Sequence, residues 1–159
     1  MPFSDTHKPM PTLRYWWPAV AWAGLLFFFS TGLFGAGFNS RFLLPFLRWL
    51  LPSAEHEVVW QLHLLIRKAA HFANYFVFSL LLLRGIRGEA RGWQWKWALW
   101  ALLLACGYAL SDEFHQSFVP GRRASLRDVW LDGAGAAVAQ LCAGLYFRRA
   151  NAGTTNEHR

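Results

Sequence analysis

Residues 15–40 read YWWPAVAWAGLLFFFSTGLFGAGFNS and contain no Asp, Glu, Lys or Arg. Within that stretch, residues 16–34 as a helix are long enough to cross a hydrocarbon core about 30 Å thick. Lys8 and Arg14 precede the run like the charged start of a signal peptide, but the apolar run is long and no A-x-A cleavage pattern follows it. The segment therefore reads as a retained first membrane span.

The composition agrees. Of 159 residues, 55% are hydrophobic, 18% aromatic and only 16% charged, against about 25% charged in an ordinary soluble domain. Three further runs lack Asp, Glu, Lys and Arg, at 69–83, 97–111 and 133–147. Each is shorter than the ~20 residues a span needs, so each must be completed by ionisable residues at its ends. Arg67, Lys68 and His71 open the second, Asp112 and Glu113 close the third, and Asp128 and Asp132 open the fourth. In a bundle of alternating helices those three ends share one side. The opposite ends carry Arg84, Arg87, Lys96, Arg148 and Arg149, long cations that reach headgroups by snorkelling.

These features predict an all-α polytopic membrane protein, a four-helix transmembrane bundle with spans near 16–34, 66–83, 95–110 and 126–147. One transmembrane domain, 15–148, is flanked by an N-terminal tail, 1–14, and a C-terminal tail, 149–159. The segment 42–51 contains Pro45 and Arg48 and is too short to cross, so it is expected to lie in or dip into the interface. Trp16, Trp17, Trp93, Trp95 and Trp97 fall near span ends, where indoles favour the headgroup level.

The formal charge is +7. Lys and Arg gather at the ends of apolar runs, which points to anionic headgroups rather than nucleic acid. With four spans, the N-terminus, the 84–96 loop and the C-terminus share a face holding nine Lys and Arg, against seven on the other. Five of those seven, Arg67, Lys68, Arg122, Arg123 and Arg127, sit among the acidic residues, so the bias places both termini in the cytoplasm of a cell-membrane protein. Cys106 and Cys142 lie inside apolar runs, which suggests neither a disulfide framework nor a thiolate metal site.

On a helix, Arg67, His71, Asn74 and Phe78 fall at i, i+4, i+7 and i+11, a polar stripe with Tyr75 beside it. After the third run comes SDEFHQSFVPGRRASLRD, residues 111–128. Pro120-Gly121 suits the centre of a type II turn. Ser125 followed by Asp128 has the S-x-x-D form of a helix start, with Ser125 as N-cap. From Asp128 one face runs through Asp132, Gly135, Ala139 and Ala143, small residues that let another helix approach closely.

In these two stretches the chain resembles the VanZ-like family, whose pattern is R-K-x-x-H-x-x-x-Y opening one membrane helix and D-E-x-H-Q-x-x-x-P-G-R-x-x-S-x-x-D linking the next two. The matching residues are Arg67, Lys68, His71 and Tyr75, then Asp112, Glu113, His115, Gln116, Pro120, Gly121, Arg122, Ser125 and Asp128. Asp132 stands where that family has Asn. The resemblance implies a membrane location and a tie to the trait that names the family, low-level resistance to the glycopeptide teicoplanin.

The candidate cluster is therefore Arg67, Lys68, His71, Tyr75, Asp112, Glu113, His115, Gln116, Arg122, Ser125, Asp128 and Asp132. Three readings compete for it. It locks helices together through charge-assisted hydrogen bonds; or it forms a headgroup-facing pocket for an anionic lipid or lipid-linked cell-envelope precursor, Arg gripping phosphate bidentately; or its carboxylates and imidazoles hold a metal for lipid hydrolysis or transfer. Five cations and four carboxylates exceed what helix register requires, which favours binding. No metal or cofactor is expected, because H-E-x-x-H spacing is lacking and the cations repel a metal. A reporter fused after Arg159 is expected to report a cytoplasmic C-terminus, and a signal from the far side would reverse the orientation.

Overall fold

A computed structural model describes residues 13–31, 36–118 and 125–156, with side chains over 13–31, 41–118 and 125–150. These residues form α1 (Leu13–Ser30), α2 (Ala36–Leu50), α3 (His56–Arg87), α4 (Trp95–Gln116) and α5 (Leu126–Asn156), with no strand among them. At ~1.5 Å per residue, the 32 residues of α3 extend about 48 Å. Gly88 ends it with φ 54°, its N–H donating to the Arg84 carbonyl. This positive φ is the left-handed cap that glycine adopts without Cβ strain. Gly92, at φ 81°, helps turn the chain within seven residues into α4, and so short a connection makes neighbouring helices antiparallel.

α3 is the axis of the fold. It touches all four other helices, most extensively α5, while α4 packs on both α3 and α5; α1 lies on α3 with a smaller contact to α4, and α2 rests on α3 alone. α1 is fastened by two bonds to helix backbones. The Trp22 indole donates to the Asn74 carbonyl at 3.2 Å, and the Tyr108 hydroxyl donates to the Ala23 carbonyl at 2.6 Å. The Trp16 ring covers Gly85, where an added Cβ would stand 2.8 Å from the indole.

Tyr75, Phe78, Leu82 and Leu83 of α3 are buried, and the helices around them turn mostly small residues inward. On α4 the buried stripe is Ala98, Ala101, Ala105 and Ala109, continued by Glu113 and Gln116; on α5 it is Asp132, Ala136, Ala139, Gln140 and Ala143. The large apolar side chains point away, among them Trp17, Phe27, Phe28 and Phe29 of α1, Trp100 and Leu103 of α4, and Trp130, Leu141 and Leu145 of α5. In water each would forfeit about 1.5–3 kcal/mol relative to burial.

Helix α3 is long and apolar enough by itself to cross a membrane. The other expected spans coincide with helices α1, α4 and α5. The all-helical architecture thus agrees with the sequence reading, and the crossing of all four helices does not follow from length and composition. The helices also run past the expected limits: α3 begins at His56, α4 continues to Gln116 and α5 to Asn156. Residues 42–51, expected at the interface, belong largely to α2, whose Phe42, Phe46, Trp49 and Leu50 are exposed.

α3 and α5 touch backbone to backbone. A Cβ on Gly135 would collide with the Phe72 carbonyl, which cannot swing aside as a side chain can. Gly135→Ala is therefore expected to lower thermal stability by about 1–3 kcal/mol, the usual cost of overpacking. Gly107→Ala meets nothing within 4 Å and should be neutral or stabilising by up to ~1 kcal/mol through helix propensity. Thermal unfolding of both variants in one detergent checks the contrast, and equal effects would refute the contact.

Candidate functional site

The polar end of the bundle is built where α3 begins its contact with α5. Arg67 and His71 lie one turn apart on α3, Asp128 and Asp132 one turn apart on α5, and the two rows meet in register. Arg67 Nη2 is 3.6 Å from Asp128 Oδ2, and His71 Nδ1 is 3.4 Å from Asp132 Oδ1. The outer pair is partly solvated, with side chains 35% and 21% exposed. The inner pair contains a carboxylate only 3% exposed, so Asp132 depends on His71 for its nearest compensating charge.

α4 brings a second group to the same end. Glu113 is buried, and its Oε2 accepts from the Ser125 amide at 2.6 Å. Glu113 therefore serves as a cap from a neighbouring helix, placing a carboxylate at the positive end of α5. Ser125 itself begins the helix as expected, its carbonyl accepting from the amides of Asp128 and Val129. One turn beyond Asp112, Gln116 donates to Asp112 Oδ2 at 2.8 Å. Tyr75, one turn beyond His71 on α3, is buried as well.

Among the described residues, several buried polar atoms here have no hydrogen-bond partner: the Tyr75 hydroxyl, Asp112 Oδ1 and Asp132 Oδ1. Buried polar atoms are normally satisfied, so these mark hydrogen-bonding capacity that the described residues do not use. Beside it opens a cleft of ≈ 100 Å³ lined by Leu64, Arg67, Lys68, His71, Asp128 and Leu131. Lys68 is exposed at its rim. Among the described residues no three His, Cys, Asp or Glu side chains stand close enough together to hold a metal ion.

The structure brings Arg67, His71, Asp128 and Asp132 into contact and joins Glu113 to Ser125. It separates His115, whose ring packs at 5.0 Å against Phe27 of α1. Arg122, with Pro120, Gly121 and Arg123, lies outside the described residues. The partner of Asp132 is His71, not the Arg or Lys residues that charge counting would select.

Sequence reading missed a second polar contact deeper in the same interface. The Ser79 hydroxyl donates to the Ala136 carbonyl at 3.2 Å, while Gln140 Nε2 donates to the Ser79 carbonyl at 3.0 Å and to its Oγ at 2.7 Å. The available signal was the i+4 row from Asp132 through Ala136 to Gln140, which puts an amide on the helix-facing side of an apolar run.

An all-helical bundle with small-residue helix seams, an apolar exterior and an ionised rim defines a class of membrane-associated helical proteins. The chain belongs to the VanZ/LLP1 family, whose model matches residues 15–147. No curated protein and no solved structure matches it.

His71→Ala should leave Asp132 buried without its cation and lower stability by as much as about 3 kcal/mol. Adding Asp132→Asn to that variant removes the stranded charge and should recover part of the loss. Thermal unfolding of the two single variants and the double variant measures this; purely additive effects would show that the pair is not coupled.

Proposed function

We propose that α1, α3, α4 and α5 cross the bilayer as a four-helix bundle in the cell membrane, and that the cleft between α3 and α5 holds the anionic headgroup of a lipid or of a lipid-linked cell-envelope precursor. The outward-facing Trp, Phe and Leu residues support the first part, because hydrocarbon removes the penalty that water would impose on them. The family membership supports a membrane setting.

The observation that carries the binding reading is the pairing pattern around the cleft. Arg67 is held 3.6 Å from Asp128, beyond good hydrogen-bond range, and Lys68 has no ion pair among the described residues. Two cations one residue apart are thus oriented by α3 yet weakly engaged. A phosphate at the cleft would gain charge-assisted bonds from Arg67 and Lys68 without breaking the inner His71–Asp132 pair. At ≈ 100 Å³ the cleft suits a small head rather than a whole ligand of 300–1,000 Å³, leaving acyl or polyprenyl chains against the apolar exterior. Sequestering such a precursor is the route by which the chain would contribute to teicoplanin resistance.

A purely structural lock makes a different forecast for the same residues. If the cleft binds an anionic head, Arg67→Ala with Lys68→Ala should reduce the anionic lipid retained after purification, read by native mass spectrometry, while unfolding temperature changes little. Both side chains are partly solvated, so their loss should cost no more than about 1 kcal/mol. Unchanged retention with a large fall in stability would establish the lock and remove the binding reading.

A further inference from the structure

The opposite end of the bundle carries a larger cleft that the reading above leaves unused. It has ≈ 430 Å³ and is lined by Trp93, Gln94, Trp95, Lys96, Phe147 and Arg148, a size within the range of small-ligand sites. Its walls are fixed by packing. Trp93 lies on Gly144, where a Cβ would stand 3.3 Å from the indole, so a glycine on α5 gives the ring its seat. Arg87 of α3 sits over the Phe147 ring with its guanidinium carbon 4.8 Å from the centroid, in cation–π range.

Two features of this cleft ask for an anion. Lys96 and Arg148 border it from different helices, and among the described residues neither is in an ion pair. The first turn of α4 opens into it, where Gln94 supplies no side-chain cap, leaving the positive helix end available to a negative group. The surrounding sequence adds Arg84, Arg91 and Arg149, and the Glu89 carboxylate accepts from the Tyr15 hydroxyl.

We infer that this cleft is a second binding site, for the phosphate of an anionic membrane phospholipid, on the face opposite the His71–Asp132 cluster. Lys96 and Arg148 contact the phosphate and the first amides of α4 donate to it. Trp95, 61% exposed, lies at the level of the glycerol backbone, where indoles partition. The cations at this end, which snorkelling alone would explain, thus converge on one head.

The test titrates the full-length protein in detergent with phosphatidylglycerol, phosphatidylcholine and inorganic phosphate, and follows bound lipid by native mass spectrometry. Wild-type protein should bind phosphatidylglycerol saturably at this site and phosphatidylcholine far more weakly. Lys96→Gln with Arg148→Gln should weaken that binding by at least about tenfold, the loss of one or more charge-assisted contacts, with helix content unchanged by circular dichroism. Should the double variant fold poorly, Lys96→Gln alone carries the same expectation at reduced size. Equal binding of the two lipids, or unchanged phosphatidylglycerol affinity in folded variants, would overturn the site. Displacement by inorganic phosphate at concentrations equal to the lipid would overturn its assignment to a lipid. The Arg67→Ala, Lys68→Ala variant should retain this lipid, so failure at one face is distinguishable from failure at the other.

Discussion

The close approach of α3 and α5 is the constraint on which the other features depend. At Gly135 the two helices meet with a carbonyl where a side chain would otherwise be, and a turn further along Ala136 and Gln140 bond to Ser79. With that distance set, the reach of every neighbouring side chain is set too. His71 can meet Asp132 only because Gly135, one turn beyond, lets the backbones close. A bulkier seam would spread the rows of charge, and Arg67, already at 3.6 Å from Asp128, would lose contact first. Packing at the small residues therefore governs electrostatics at the rim.

The rim in turn connects α4 to the pair. Glu113 reaches the first amide of α5, so the end of one helix and the start of the next are held by one bond across a sequence separation of twelve residues. Buried carboxylates are costly, and here each has a specific recipient: an imidazole for Asp132, a helix amide for Glu113, and a side-chain amide for Asp112. Among the described residues no cation pairs with Glu113 or Asp112, and Arg67 and Lys68 face the cleft. Charge at the two ends of the bundle differs in kind: mixed and largely paired at this rim, and basic around Lys96 and Arg148.

The helical class was legible because runs such as 69–83 and 133–147 carry a signal that local sequence determines. Convergence of Arg67, His71, Asp128 and Asp132 was legible as well, since antiparallel alternation alone places their ends together. Pairing was not. Counting charges favours Arg or Lys as the partner of Asp132, whereas register along α3 presents His71 at the same depth. Gln140 and Ser79 were hidden because each is a single uncharged residue in an apolar run, and the face traced through Gly135, Ala139 and Ala143 passes beside Gln140 instead of through it. His115 belongs to a contiguous sequence motif, yet its helical position turns it toward Phe27 of α1, a direction that motif spacing does not encode.

The α4 and α5 share of the interior is assembled largely from Ala, while α3 contributes Tyr75, Phe78, Leu82 and Leu83, and this division affects the entropy. Alanine has no rotamers to lose, so closing alanine against alanine between α4 and α5 orders little beyond the backbones, whereas a leucine-packed core gives up about 0.5–1 kcal/mol per side chain. The conformational freedom of the long side chains is kept on the outside, where they can adapt to whatever surrounds them. Cohesion along the small-residue seams then rests on distance-dependent van der Waals contact and a few interior hydrogen bonds, and very little on the release of ordered water. Heat capacity follows the same logic: separating alanine seams exposes little apolar area, so the stability of these contacts should vary with temperature along a nearly straight line, without the marked curvature that a large hydrophobic core imposes.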